Sequence, residues 1–115
     1  LTSSGAGVTG GRSSYAYGAS KGGVHGLTLV LQQHLESYGI RVNDVAPGSV
    51  KTPLKVKNVN IMHQKAKDNI NLANKYSGSL EDKLNDLTSP DDVAKIIAFM
   101  ASDEANLLKG TVFTG

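Results

Sequence analysis

An α/β fold built on a parallel sheet is what this 115-residue sequence predicts, on three observations. Short β-prone runs alternate with helical periodicities along the chain. Residues 40–46, Ile-Arg-Val-Asn-Asp-Val-Ala, alternate apolar and polar side chains over the length of a strand. That run stops at Pro47-Gly48, a pair that does not extend a ladder in the ordinary way. Strands separated by helices imply parallel pairing through right-handed crossovers. Such strands need cover on both faces and neighbours on both sides, so three of them, one truncated, make a poor sheet by themselves.

Taken in order, Leu1-Thr2-Ser3-Ser4 reads as the end of a strand that runs at once into a glycine-rich loop at residues 5–11. No element precedes it to pack against, so the chain is expected to be a fragment whose earlier strand residues are missing. A helix is predicted from Ser14 to about Tyr38, because Val24, Leu27, Leu31 and Leu35 follow steps of three and four that form one apolar stripe. Gly39 ends it. Gly22, Gly23 and Gly26 each cost about 1 kcal/mol against Ala inside a helix, which points to close approach of another backbone or helix in that turn.

Residues 40–46 then form a core strand. From Thr52 to Thr88 the sequence becomes polar and rich in Asn and Lys, with thin periodicity at Met62, Ala66, Ile70 and Ala73 and again at Leu80, Leu84 and Leu87. Two mobile, half-exposed helical segments are expected there. Ser89-Pro90-Asp91-Asp92 is a helix start: Ser caps, Pro suits the first turn, and two carboxylates complement the positive end of the helix. Val93, Ile96, Ile97 and Met100 supply its buried face. Gly110 leads into the short β-prone run Thr111-Val112-Phe113-Thr114, and no internal repeat appears.

Composition narrows the function classes. Apolar residues at 39% and charged residues at 19%, with no long apolar run and no signal-peptide front, describe a soluble globular protein with no membrane partner. The net charge of +2 is scattered rather than gathered into a stripe, so nucleic acid is not an expected partner. Absence of Cys excludes disulfides, thiolate catalysis and thiolate metal sites, and suits a reducing cytoplasm, the expected location. His25, His34 and His63 are too widely spaced for a metal box, and no metal site is expected.

One pair of residues could carry chemistry. Tyr17 and Lys21 stand four apart, so on a helix the phenol and the ammonium share a face one turn apart. A fixed positive charge nearby favours a phenolate, which general base catalysis near neutral pH requires. By itself the spacing also occurs in many solvated helices. Tyr15 is a second candidate base, but six residues separate it from Lys21, and it ranks as a packing or pocket residue.

Three segments together carry more weight. Ser3-Ser4-Gly5-Ala6-Gly7, Tyr17 to Lys21, and Asn43-Asp44-Val45-Ala46-Pro47-Gly48-Ser49-Val50-Lys51-Thr52 resemble, in order and spacing, the catalytic half of the short-chain dehydrogenase/reductase family. The helix start at Ser89-Pro90 and the closing Gly110-Thr111-Val112-Phe113-Thr114-Gly115 resemble that family's late helix and last core strand. The resemblance spans nearly the whole chain and is weakest between Leu54 and Thr88, where the family varies with substrate.

It implies a Rossmann-like doubly wound parallel sheet, of which residues 1–115 are the C-terminal half of one NAD(P)-binding domain, with residues 54–88 as a variable substrate lid. The implied activity is hydride transfer between NAD or NADP and a small-molecule alcohol or carbonyl substrate. Tyr17 would exchange a proton with the substrate oxygen while Ser4 hydrogen-bonds that oxygen. Lys21 would support the Tyr17 phenolate and hold the ribose hydroxyls of the nucleotide. Pro47 and Gly48 would wall the nicotinamide at the carboxyl edge of the sheet, where open α/β sheets bind ligands. Val50 would offer backbone groups to the carboxamide and Thr52 a hydroxyl nearby; a helix cap is the other reading of Thr52. A homodimer or homotetramer, formed through the glycine-rich face of the Tyr17 helix, is expected.

The chain also departs from the pattern. The family's glycine-rich pyrophosphate turn, the residue that selects NAD or NADP and the Asn of the proton relay are not in these residues. Asp44 puts a charge inside a strand where the family usually has a small or apolar residue; a protein interface or a pairing cation are both open for it. Two other functional readings stand beside dehydrogenation. One is an inactive fragment serving as an interaction or scaffold module; the other is epimerase or dehydratase chemistry on the same Tyr and Lys, against which the Pro47-Gly48 strand end argues.

Overall fold

The computed structural model describes residues 1–11, 13–69, 71 and 78–114, and the chain divides into two compact units, Leu1–Gly48 with Val93–Gly115 and Ser49–Asp92. In the first unit, strand β1 (Asp44–Ala46) pairs in parallel with β2 (Val112–Thr114), in the register Asp44 to Val112, Val45 to Phe113 and Ala46 to Thr114. On the other side of β1 the chain start adds a parallel bridge between Thr2 and Val45, closed by Ser3 N–H to Val45 O at 3.0 Å and Val45 N–H to Leu1 O at 3.0 Å. β1 is thus the central line, and all three of its residues are buried.

The strand is shorter than the alternating pattern implies, three residues rather than seven. Residues 42 and 43, beyond its start, are held by both side chains and backbone. Gln32 Oε1 accepts the Val42 N–H at 2.6 Å, and Val42 O accepts the Gly110 N–H at 2.9 Å. The Asn43 side chain donates to Leu108 O at 2.8 Å and accepts the Thr111 N–H at 3.0 Å. Arg41 spreads its guanidinium over the end of a later helix, donating to Met100 O at 3.1 Å, Ala105 O at 2.8 Å and Ser102 O at 3.0 Å. Those carbonyls lack helical partners at a C-terminus, and a cation suits the negative end of the dipole.

Residues 5–11, expected as a loop, begin with one helical turn, α1 (Gly5–Val8), capped by Ser4. Helix α2 (Tyr15–Leu35) starts on the Ser14 cap and passes into a 3-10 turn, Glu36–Tyr38, which Gly39 closes in the left-handed region at φ 71°. Glycine is the residue that takes this conformation without strain, so the predicted stop holds.

Of the predicted apolar stripe Val24, Leu31 and Leu35 are half-buried, and a polar line beside it goes deeper. Thr28 and Gln32 are buried, Lys21 and His25 lie half-buried on the same line, and Leu27 is 48% exposed. The strand edge it faces offers a carboxylate and a free amide, so polar side chains meet it. Gly22 does mark a close backbone approach, since a Cβ on Gly7 would stand 2.3 Å from Gly22 N and 2.5 Å from Lys21 C. Gly23 and Gly26 meet nothing within 4 Å, so the expectation of a contact there is not met within the chain.

Helix α5 (Pro90–Ala101) begins as predicted, with Ser89 Oγ accepting the Asp91 N–H at 3.2 Å. Met100 is buried and Val93 and Ile96 are half-buried, but Ile97 is 44% exposed, because it borders an open cleft of about 470 Å³ instead of a packed face. Val45 and Met100 line the same cleft, so α5 lies on the Val45 side of the strands and α2 on the Asp44 side. Gly115, the last residue of the predicted closing strand, lies outside the described residues.

The second unit holds α3 (Pro53–Lys67) and α4 (Leu80–Asn85), which pack together, with Ala66 buried and Met62, Leu80, Leu84 and Leu87 half-buried. Helical, half-exposed segments are thus found where they were expected; Ile70 and Ala73 lie outside the described residues. Val50 and Thr88 form a parallel bridge, closed by Lys51 N–H to Thr88 O and Thr88 N–H to Ser49 O, each 2.9 Å. Among the described residues no helix is long and apolar enough to cross a membrane.

Two substitutions test this packing. Gly7→Ala forces a methyl into helix backbone and should lower unfolding free energy by about 1–3 kcal/mol. Gly22→Ala, whose Cβ would stand 3.2 Å from the Gly7 carbonyl oxygen, should change it less, since Ala regains about 1 kcal/mol of helix propensity. Arg41→Lys keeps the charge but not the planar fork, and should cost about 1–2 kcal/mol through carbonyls left short of a donor. Urea unfolding curves measure all three.

Candidate active site

The turn that carries Ser4 is tied to α2 on both sides. Ahead of it, Lys21 Nζ donates to the Thr2 carbonyl at 3.2 Å. Behind it, the Gly7 Cα rests on the Lys21-Gly22 peptide. Ser4 stands between these ties in an extended conformation, φ −160° and ψ 150°, where its Oγ accepts the Ala6 N–H at 3.3 Å. A hydroxyl that accepts from backbone still has its proton to donate, which is what a substrate oxygen gaining charge needs.

Tyr17 is the third residue of α2, and its N–H is taken by the Ser14 cap at 3.2 Å. Its ring is 45% exposed, and the Lys21 ammonium lies 6.0 Å from the ring centroid, so helical spacing does put cation and phenol on one face. Tyr15 is 98% exposed and has no comparable neighbour among the described contacts, so the structure gives it no packing role within the chain.

The carboxyl edge of the strands meets this group. Pro47, the first residue after β1, accepts the Gly5 N–H through its carbonyl at 3.4 Å, which joins the strand end to the turn beginning at Ser4. Gly48 follows and is exposed. Ser4, Tyr17, Lys21, Pro47 and Gly48 thus lie in one compact unit, with Lys21 linked to Tyr17 and Thr2, and Pro47 to Gly5.

Val50 and Thr52 belong to the second unit. The Val50 carbonyl accepts the Thr52 N–H at 2.8 Å, so of its backbone groups the N–H is the one left for a ligand. Thr52 is the N-cap of α3, its Oγ1 accepting the Lys55 N–H at 3.2 Å, with Pro53 in the first turn. The cap reading of Thr52 is thus realised, and its hydroxyl proton stays free to donate elsewhere.

Three residues at the site were not singled out for it by sequence. Gly7 sets the distance between the Ser4 turn and α2. Ser3 donates both its N–H, at 2.9 Å, and its hydroxyl, at 2.5 Å, to the carboxylate of Asp44, which is fully buried. His25, one turn beyond Lys21, brings Nδ1 to 3.4 Å from that carboxylate. Asp44 is therefore paired inside the chain; its charge in a strand was the available signal, while Ser3 and His25 carried none.

Comparison with known proteins gives a consistent picture. Residues 1–114 match the family model described as enoyl-(acyl carrier protein) reductase. The chain is 37% identical over 94 residues to estradiol 17-beta-dehydrogenase 8 of Callithrix jacchus, an alignment covering 82% of this chain and 61% of that protein. It is 34% identical over 106 residues to the 3-oxoacyl-acyl-carrier-protein reductase of Thermotoga maritima, covering 92% of this chain and 38% of that one. Among solved structures, a short chain dehydrogenase family protein from Francisella tularensis superposes with a TM-score of 0.73 at 27% identity, over 98% of this chain and 46% of that one. Levodione reductase gives the same TM-score at 30% identity, over 98% and 42%. The chain thus spans between about two-fifths and three-fifths of these proteins, and its strands, helices and sheet edge are those of part of a Rossmann-type sheet. This chain belongs to the short-chain dehydrogenase/reductase family.

Proposed function

We propose that the protein containing this chain is an NAD(P)-dependent oxidoreductase acting on an alcohol or carbonyl, with Tyr17 as its proton-transfer residue. The observation that carries the reading is the place of the Lys21 ammonium, which stands 6.0 Å from the Tyr17 ring centroid and 3.2 Å from the Thr2 carbonyl, beside the Ser4 turn. A bound nicotinamide nucleotide supplies or accepts the hydride. The chain's own residues handle the proton and the position of the substrate.

In carbonyl reduction the Tyr17 hydroxyl gives its proton to the substrate oxygen, and in alcohol oxidation it takes that proton back. Ser4 donates a hydrogen bond to the same oxygen as charge develops there. The donor set fits a nucleotide: an ammonium has three N–H donors, and the bond to Thr2 uses one, leaving the others for ribose hydroxyls. Pro47 and Gly48 offer a flat, exposed edge to the nicotinamide, the Val50 N–H a donor to its carboxamide, and residues 54–88 the substrate lid. Relatives named for 3-hydroxyacyl-CoA, acetoacetyl-CoA and 3-oxoacyl-carrier substrates make 3-oxoacyl thioesters the first compounds to test.

The same reading includes self-association through α2. Gly23 and Gly26 leave open backbone, and Leu27 and Val30, on that same face, are 48% and 52% exposed. A second copy of this helix fits such a face.

NADH and NADPH titration of the purified protein, followed by turnover assays, tests the proposal. Tyr17→Phe should keep nucleotide affinity within about twofold and lower kcat by about 10²–10⁴; retained turnover rejects Tyr17 as the acid-base residue. Lys21→Met should weaken both nucleotide binding and rate by about tenfold, the worth of a charged hydrogen bond, and a change in neither returns Lys21 to the solvent. Val30→Glu should shift sedimentation toward the monomer.

A further inference from the structure

Asp44 is the one fully buried carboxylate among the described residues. Taking such a charge out of water costs several kcal/mol after relaxation, so its partners decide whether it can be there at all. Two come from Ser3, whose N–H reaches Oδ1 at 2.9 Å and whose hydroxyl reaches Oδ2 at 2.5 Å. The second is at the short end for a hydroxyl donating to an ionised acceptor. His25 Nδ1 is buried 3.4 Å from Oδ2 without a hydrogen bond to it.

The sheet itself does not need this carboxylate. The Ser3 N–H already donates to Val45 O at 3.0 Å and the Val45 N–H to Leu1 O at 3.0 Å, so backbone pairing between the chain start and β1 is complete without Asp44. What the side chain adds is a fixed direction for Ser3, the residue bonded to Ser4. On the α2 side the carboxylate stands against His25, one turn from Lys21 and two turns from Tyr17.

We propose that Asp44 is a positioning residue, whose buried carboxylate grips the Ser3 N–H and hydroxyl beside the His25 ring of α2, and so holds the Ser4 hydroxyl in register with Tyr17 and Lys21. The inference rests on the catalytic reading of those three residues. Asp44 touches neither substrate nor nucleotide; it acts through Ser3 and through α2. A displaced Ser4 would donate poorly to the substrate oxygen while the nucleotide contacts of Lys21 and Pro47-Gly48 stay, so the effect falls on kcat.

The test uses two variants of different severity in the purified protein. Asp44→Asn keeps the shape and one acceptor oxygen but removes the charge. Ser3→Ala removes the hydroxyl arm alone and leaves the N–H bonds, so the fold keeps its strand pairing. Each should lower kcat by about ten- to hundredfold, the scale of a sub-ångström to ångström misplacement, with NAD(P)H affinity within about twofold. In both variants the Ser3 and Ser4 amides should exchange with deuterium faster than those of Val45 and Ala46. Because the two substitutions cut one contact, the double variant should lose less than the sum of the singles.

Unchanged kcat in both variants, with Tyr17→Phe inactive in parallel, would overturn the inference and leave the catalytic reading standing. Equal losses of kcat and nucleotide affinity, together with a lowered thermal midpoint in Ser3→Ala, would also overturn it, since they are the signature of general destabilisation. An active Tyr17→Phe would instead bring down the catalytic reading, and the inference with it.

Discussion

Two backbones touch at Gly7 and Gly22, and much of the site depends on that contact. Neither partner there can yield, because the atoms a Cβ on Gly7 would meet are the Gly22 nitrogen and the Lys21 carbonyl carbon rather than the end of a side chain. Glycine inside a helix carries a cost of about 1 kcal/mol against Ala. At position 22 it is offset by letting the turn after Ser4 lie directly on α2. From that approach follow the reach of Lys21 to the Thr2 carbonyl and the nearness of the Ser4 turn to the start of α2.

The layer between α2 and β1 is polar to an unusual degree. Lys21, His25, Thr28 and Gln32 follow one line of the helix; Lys21 donates to a backbone carbonyl, Gln32 accepts a backbone amide, and His25 stands 3.4 Å from a buried carboxylate. Hydrogen bonds of this kind fix direction as well as distance, and inside a protein an unmade one is costly, so such a layer specifies one arrangement where apolar contacts would tolerate several. On the other side of the strands Val45, Ile97 and Met100 line a cleft together with Arg41, Asn43 and Asp103. Lys21 stands at the end of this polar layer, beside the Ser4 turn.

The large apolar side chains that α2 does not bury, Leu27, Leu29 and Val30, and the unfilled Gly23 and Gly26 belong together physically. They leave an apolar face of α2 exposed in the single chain. The apolar periodicity of Val24, Leu27, Leu31 and Leu35 located the helix; Val24, Leu31 and Leu35 are half-buried, and Leu27 is exposed.

Sequence by itself determined what is local. The α2 helix and its Gly39 stop, the Ser89-Pro90 start, the strand end at Pro47-Gly48 and the shared face of Tyr17 and Lys21 depend on caps, turns and steps of three or four residues, all within one turn of the positions concerned. Tertiary structure decided what is not. The helical turn at Gly5–Val8 forms against glycine's poor propensity because α2 supports it, and residues 42 and 43 bond to Gln32, Leu108, Gly110 and Thr111, most of them far away along the chain. Asp44 showed in the sequence only as a charge out of place, since its partner Ser3 lies 41 residues away along the chain. Partners at that separation are chosen by how the chain folds back on itself, and no local pattern of residues encodes them.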